Sequence, residues 1–333
     1  MITEFSRTEM LIGPKALNAL KGSCVVVFGA GGVGSHAIEA LARSGIGHLI
    51  LIDSDTVSLT NINRQSIAYH STVGQYKTRV MADRIRDICP DTRTDTFEEF
   101  VLPDTMETLF CRINALLEEE HIKKSQISSS GSSSITYILD AIDTVSAKIA
   151  LAAYADEHSI PLISSMGTGN KLHPELFRIS DLKDTSVCPL CRVMRKELKT
   201  RGIQSLKVCW SPEKPLTPAP DEEDTGSRRS TPGSISFVPP AAGLMIAGEI
   251  VRNICGGAFS GYCSLLPPGQ ILNGILVYHT PDCIIQLLPQ PQGDAVIPSL
   301  AGVVLTGQTV YRSQISFCDP QDHPYGILAG RPG

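Results

Sequence analysis

Apolar residues fall in short β-branched runs, and the stretches between them have helical spacing. Cys24–Phe28 is unbroken apolar sequence, as a parallel strand buried on both faces requires. Ser35–Arg43 is rich in Ala and Leu at helical spacing, and His48–Asp53 predicts a second buried strand. Lys77–Ile88 reads as a helix stopped by Pro90. Ile135–Ala141 predicts a strand, Ser146–His158 a helix, and Pro161–Ser165 a strand leading into the glycine turn of Met166–Asn170. Ala241–Ile254 is an apolar helix whose small residues suit close packing. This alternation predicts an α/β protein with a doubly wound, Rossmann-like, mostly parallel sheet.

Three stretches interrupt the alternation. Residues 125–134 are a serine-rich insertion expected to loop out over the surface. Residues 217–233, rich in Pro, Gly and charge, read as a mobile loop. After Cys255 come strand-like runs broken by Pro and Gly, with no recognisable motif. The expected division is therefore one α/β domain over 1–255 and a C-terminal extension of unassigned role over 256–333.

Composition narrows the class. The 333 residues are 42% hydrophobic and 19% charged, as in soluble globular proteins. A net charge of -5 argues against a generally basic nucleic-acid binder but leaves room for a local basic face. Ten cysteines at irregular spacing are not a dense disulfide framework and point to a reducing compartment. The first residues lack a basic segment followed by an apolar run. No apolar run reaches the ~18 residues of a spanning helix. The expectation is a cytoplasmic protein with no membrane partner.

The chemistry starts at Gly29, Gly31 and Gly34, a G-x-G-x-x-G between a strand and a helix. Gly29 suits the tight turn, Gly31 lets backbone approach a phosphate, and Gly34 lets the helix pack closely. The phosphate would lie on the helix N-terminus. Asp53, ending the next strand, is positioned for ribose hydroxyls. These features fit NAD and ATP equally. Two later cations favour ATP: Arg64 in Leu59–Gln65 and Lys77 in Val73–Lys77. A dehydrogenase needs neither, whereas transfer at an α-phosphate builds charge on the leaving pyrophosphate that cations stabilise. In Leu139–Thr144, Asp143 is the candidate Mg²⁺ ligand and Asp140 the lesser one, since magnesium takes one or two carboxylates plus phosphate oxygens and water. The plainer alternatives are a solvated Lys77, Arg64 capping a helix or paired with Asp55, and Asp143 as a helix N-cap.

The set GAGGVGS, LIDSDTVSLTNINRQ, GQYK and DAIDT resembles the E1-like ThiF/MoeB/HesA superfamily of adenylating enzymes. FSRTEMLIG, SSMGTGNKLHP, DLKDTSVCPL and VMRKELKTRGI further resemble its branch that dehydrates threonylcarbamoyladenosine at position 37 of tRNA. The resemblance covers roughly Glu4 to Ile254 and implies an E1-like adenylating fold. It implies ATP contacts at Gly32, Asp53, Thr60, Asn61, Asn63, Arg64, Lys77, Asp143 and Thr144. It also implies a homodimer in which Arg7 reaches the nucleotide of the partner subunit. The implied reaction joins the threonyl carboxylate to AMP, after which the carbamoyl group closes a ring and AMP leaves. An E1-like adenylyltransferase for a ubiquitin-like sulfur carrier, with sulfur-relay partners, remains the alternative, and a NAD-dependent dehydrogenase is the third reading.

Cysteines and basic residues bear on these alternatives. Cys188 and Cys191 form a single C-x-x-C, half of the four-cysteine zinc set of many relatives, and are expected to be thiols near a helix start. Cys209 is the candidate thioester cysteine of the sulfur-carrier alternative, and a strand cysteine is the simpler expectation. Arg192, Arg195, Lys196 and Lys199 fall on neighbouring rows of one helix and are candidates for tRNA contact, with Arg228 and Arg229 as weaker ones. Lys171 is a candidate for meeting the substrate carboxylate.

Overall fold

The computed structural model describes residues 2–125, 134–217 and 232–256, without the side chains of 120–125. Beyond these it describes five backbone strands between residues 271 and 310. Seven strands form one sheet: β1 (Cys24–Phe28), β2 (His48–Ile52), β3 (Arg93–Phe97), β4 (Tyr137–Asp140), β5 (Leu162–Ser165), β6 (Arg178–Asp181) and β7 (Lys207–Trp210). Their order is β3-β2-β1-β4-β5-β7-β6, and all run parallel except β6. The helices are α1 (Ser6–Lys21), α2 (Gly34–Ser44), α3 (Lys77–Ile88), α4 (Met106–Ser125), α5 (Val145–Glu157), α6 (Pro189–Thr200) and α7 (Val238–Cys255).

Both faces of the sheet are covered, which is why the central strands read as continuous apolar runs. Cys24, Val26, Phe28, Ile50 and Ile52 belong to a core built with residues of α4, α5 and α6. The alternate residues Val25, Val27, Leu49 and Leu51 point to the other face by the two-residue period of a strand and are equally buried. On that face α7 packs against α1 and α2. The small-residue character of α7 has a specific cause at Gly243, where an added Cβ would lie 2.4 Å from the Val33 carbonyl oxygen.

The elements predicted with bounds appear within three residues of them, and six further elements are present, of which α6 and β7 were expected only as the helix of Arg192–Lys199 and the strand of Cys209. Helix α1 spans Gly13 and Pro14; Gly13 sits at φ 79°, so the helix is kinked there. Strand β3 has the sequence RTDTF, too polar for an apolar scan, because it is the edge strand. Helix α4 and strand β6 complete the set.

The chain divides into two compact units, Met1–Gly256 and Gly257–Gly333. The second contains an antiparallel sheet of β8 (Ile271–Leu272), β9 (Ile275–Thr280), β10 (Cys283–Leu287), β11 (Val303–Leu305) and β12 (Gln308–Val310), ordered β12-β11-β10-β9-β8. Residues 126–133 of the serine-rich insertion and 218–231 of the charged loop, with Arg228 and Arg229, lie outside the described residues. No helix among the described residues is long and apolar enough to cross a membrane.

Candidate functional site

From β1 the chain moves outward to β2 and β3, then returns to the other side of β1 at β4. This reversal opens a crevice at the carboxyl ends of the strands, where α/β sheets bind ligands. A cleft of about 430 Å³ occupies it. Gly29 turns the chain at φ 93°, and an added Cβ there would lie 2.8 Å from the Ala141 carbonyl oxygen. A Cβ on Gly34 would lie 1.8 Å from the Gly29 carbonyl oxygen, so Gly34 seats the helix on the turn itself. Gly31 differs: its Cβ would meet nothing closer than Gln65 Nε2 at 3.8 Å, which leaves bare backbone on the cleft. Gly32 also lines the cleft, beside Pro239 and the Arg64 stem. No side chain caps α2; within its first turn the Ser35 amide donates to the Gly31 carbonyl at 2.9 Å.

Asp53 ties this turn to β2. Its Oδ2 accepts from the Ala30 amide at 2.6 Å and its Oδ1 from the Asp55 amide at 2.8 Å. Burial raises its pKa above the usual carboxylate value, against the opposing pull of the Lys77 charge and the two amides. Lys77 opens α3 and is only 6% exposed, with Nζ 2.6 Å from Asp55 Oδ2. It is therefore no solvated helix residue. The partner of Asp55 is Lys77, not Arg64.

Arg64 lines the cleft and is held from behind: Nη1 donates to the Thr60 carbonyl at 3.0 Å and to Asn63 Oδ1 at 2.9 Å. Its Nε and Nη2 donors have no partner among the described residues. Asn61 is buried on the cleft wall and accepts from the Ser58 amide at 3.1 Å. Thr60 and Asn63 are not part of the lining; Asn63 Nδ2 bonds the Ser234 carbonyl at 3.0 Å. Their geometry is that of supports for Arg64.

Across the cleft, Asp143 and Thr144 both line the wall. The N-cap of α5 is Thr144, so Asp143 is exposed and spared the capping role. Asp140 is not available to a metal. It is 1% exposed and is engaged by Lys148 Nζ at 2.9 Å and by the Ser164 hydroxyl. Among the described residues no three His, Cys, Asp or Glu side chains cluster to hold a metal by themselves. Lys148, which also donates to the Ser165 carbonyl at 2.8 Å, forms part of the cleft lining.

Two further expectations need correction. Lys171 is buried with Nζ 2.6 Å from the Glu213 carbonyl oxygen, so it braces a loop and does not face a substrate. Arg195 turns inward to the carbonyl and hydroxyl of Thr185, because its row on α6 borders the loop before that helix. Arg192, Lys196 and Lys199 are exposed, as is Arg7 on α1. Cys209 is buried in β7, and burial pushes its thiol up to about 12. Sequence reading missed Glu99, Phe100 and Val101, which line the cleft just past the overlooked edge strand β3. It also missed Lys148, whose helix gives no sign of a buried charge.

The ThiF family profile matches residues 5–282. The tRNA threonylcarbamoyladenosine dehydratase of Bacillus subtilis (strain 168) is 38% identical over 263 residues, which cover 76% of this chain and 95% of that protein. The enzyme of the same name from Escherichia coli (strain K12) is 40% identical over 196 residues, 59% of this chain and 65% of its own length. A crystal structure of the E. coli tRNA N6-threonylcarbamoyladenosine dehydratase in complex with ATP superposes with a TM-score of 0.61 at 32% identity, covering 75% of this chain and 93% of that one. A glycine turn, a ribose-height acid and two cations around one crevice, joined to this similarity over nearly the full length of the B. subtilis protein, make the chain a member of the ThiF family, in its tRNA threonylcarbamoyladenosine dehydratase branch.

Proposed function

We propose that this protein uses ATP to dehydrate N6-threonylcarbamoyladenosine in tRNA to its cyclic form. One observation carries the reading: Gly31, Gly32, Asp53, Arg64, Lys77, Asp143 and Thr144 all line a single cleft, although they come from five separate stretches of chain. The solved E. coli relative binds ATP and AMP in two of its structures, which supports a nucleotide in this cleft.

Each residue has a task suited to its surroundings. The bare backbone at Gly31 and the uncapped start of α2 take phosphate oxygens through N–H groups not already bonded within the turn. Asp53 keeps a lone pair on each oxygen after its two amide bonds and accepts from ribose hydroxyls. Lys77 retains two N–H donors beyond its Asp55 bond, and Arg64 retains its Nε and Nη2 edge. Together they stabilise the negative charge that grows on the departing pyrophosphate as the threonyl carboxylate oxygen attacks the α-phosphorus. The carbamoyl group then attacks the activated carbonyl, the ring closes, and AMP leaves with the oxygen that would have been lost as water. That closure is intramolecular and needs no protein nucleophile.

Mg²⁺ fits the site as a cation held by one carboxylate plus phosphate oxygens and water, because Asp143 lines the cleft with no competing partner among the described residues while Asp140 is committed to Lys148. Bound there, it would supply charge neutralisation at the phosphates. Arg192, Lys196 and Lys199 give an acidic protein a local basic face for the tRNA backbone. Arg7 belongs with a second copy of the chain: it shares α1 with the exposed apolar Met10 and Leu11, 82% and 70% accessible, which a homodimer contact would cover. Against the sulfur-carrier alternative stands Cys209, whose buried, protonated thiol suits neither thioester nor persulfide chemistry.

The test is to incubate the protein with ATP, Mg²⁺ and threonylcarbamoyl-modified tRNA and weigh the released nucleoside. Loss of one water with one AMP formed per nucleoside is expected. No mass change alongside adenylation of a small Gly-Gly carrier protein would refute the proposal.

A further inference from the structure

Arg64 carries much of the proposed chemistry, and its guanidinium is aimed by groups from elsewhere on the cleft wall. Nη1 donates to the Thr60 carbonyl and to Asn63 Oδ1, which leaves the Nε and Nη2 edge for phosphate. Asn63 is exposed, and the last bond of an Asn side chain is a soft one, so an unattached amide there would hold Arg64 loosely. It is attached. Its Nδ2 donates to the Ser234 carbonyl at 3.0 Å, far along the chain. This second bond decides which end of the amide meets Arg64, because a turned amide would set donor against donor.

Ser234 is placed in turn by Asn170, at the end of the glycine turn that follows β5. The Asn170 N–H donates to the Gly233 carbonyl at 2.8 Å, and its Oδ1 accepts the Gly233 N–H at 2.7 Å. Its own carbonyl accepts the Leu216 N–H at 2.8 Å. Asn170 sits at φ 57°, in the left-handed region that Asn tolerates better than most residues. Gly169 gives the neighbouring chain room, since a Cβ there would stand 2.9 Å from Pro232 Cβ. The anchor is firm from behind. Lys171 holds the Glu213 carbonyl, and the Glu213 carboxylate accepts the Leu172 and His173 amides at 2.9 and 3.2 Å. Gly169, Pro232, Ser234 and Arg64 all line the cleft, so the path runs along its wall.

We propose that Asn170 is a positioning residue for Arg64, acting through Gly233, Ser234 and Asn63. Without the Oδ1 bond the Gly233 amide is released, the Ser234 carbonyl drifts, and the Asn63 amide no longer presents a fixed oxygen to Nη1. The guanidinium then spends less time with its free edge towards phosphate. The effect on rate rests on the proposed function, whereas the path of contacts from Asn170 to Arg64 stands without it.

The test compares two variants of the full-length protein. Asn170→Gly keeps the left-handed backbone and both main-chain bonds but deletes Oδ1, and Asn170→Asp restores an acceptor there. AMP formation on threonylcarbamoyl-modified tRNA is followed over a range of ATP concentrations, with urea midpoints measured on the same preparations. Loss of one neutral hydrogen bond predicts kcat/KM for ATP about three- to tenfold lower in Asn170→Gly, and within about twofold of the unmodified protein in Asn170→Asp. Asn63→Ala cuts the same path closer to Arg64, so adding Asn170→Gly to it should cause no further loss. A residue acting on stability alone would make the two losses multiply, and that result overturns the proposal. Full activity in Asn170→Gly, or Asn170→Asp as slow as Asn170→Gly, overturns it too. Amide hydrogen exchange reads the path without catalysis: residues 59–65 should exchange faster in Asn170→Gly but not in Asn170→Asp. If the unmodified protein forms no AMP, the proposed function fails, and the exchange at residues 59–65 still decides whether Asn170 orders the Arg64 segment.

Discussion

Gly31 and Gly34 lie three residues apart in one motif, yet replacing each by alanine should have opposite consequences. At Gly34 the new Cβ would fall 1.8 Å from the Gly29 carbonyl oxygen, where ordinary contact begins near 3.4 Å. Backbone must move about 1.5 Å to admit it, on the order of 3 kcal/mol for overpacking at a site with no flexible side chain to yield. At Gly31 the nearest atom is Gln65 Nε2 at 3.8 Å and the backbone is not left-handed, so nothing in the free protein resists the methyl group. Reduced freedom of the unfolded chain should even stabilise Gly31→Ala by about 0.5 kcal/mol. The methyl group would, however, stand where phosphate must approach the backbone, weakening charge-assisted hydrogen bonds of roughly 1.5–3 kcal/mol each. ATP affinity should fall about ten- to a hundredfold. Urea unfolding followed by the fluorescence of Trp210, the single tryptophan, and ATP calorimetry on the same preparations separate the two effects. Gly31→Ala binding ATP within a factor of two of the unmodified protein would refute the phosphate-approach argument. Native stability in Gly34→Ala would refute the packing argument.

Four other changes test the remaining parts of the site. Lys77→Met should leave the fold intact, since Asp55 is largely exposed, but reduce adenylation about a hundredfold, measured by ATP–pyrophosphate exchange. Lys148→Met leaves the Asp140 carboxylate buried without its countercharge and should cost about 3–5 kcal/mol in urea unfolding, much of it recovered in the double variant with Asp140→Asn. Asp53 has a raised folded-state pKa, so its contribution to stability is complete below the ordinary Asp value near 4 and is lost as pH rises through the raised one. Asp53→Asn should therefore gain stability relative to the unmodified protein as pH increases, seen in unfolding midpoints across that range, while ATP binding weakens. Lys196→Ala with Lys199→Ala should leave stability unchanged and reduce the salt slope of tRNA binding by about two, whereas Arg195→Ala should lower stability through its lost Thr185 bonds.

The central strands, the glycine turn and helices α2, α3 and α5 were legible because their burial is written locally: two covered faces give unbroken apolar runs, and a crossover helix shows its own period. Gly29, Asp53, Lys77 and Asp143 were legible for the same reason, each sitting at or beside the end of an element the pattern exposes, whereas Arg64 lies in the turns after Leu59–Asn61 and was legible only through its charge. Partner choice was not legible. That Lys77 is buried against Asp55, that Lys148 neutralises Asp140, and that Lys171 and Arg195 turn inward to carbonyl groups depend on atoms brought from elsewhere in the chain. Glu99 and Phe100 reach the cleft only because the polar edge strand β3 ends beside β2. A charged residue reads the same in sequence whether solvent or a distant carboxylate surrounds it, and long-range packing alone decides which, because only there are desolvation and pairing settled together.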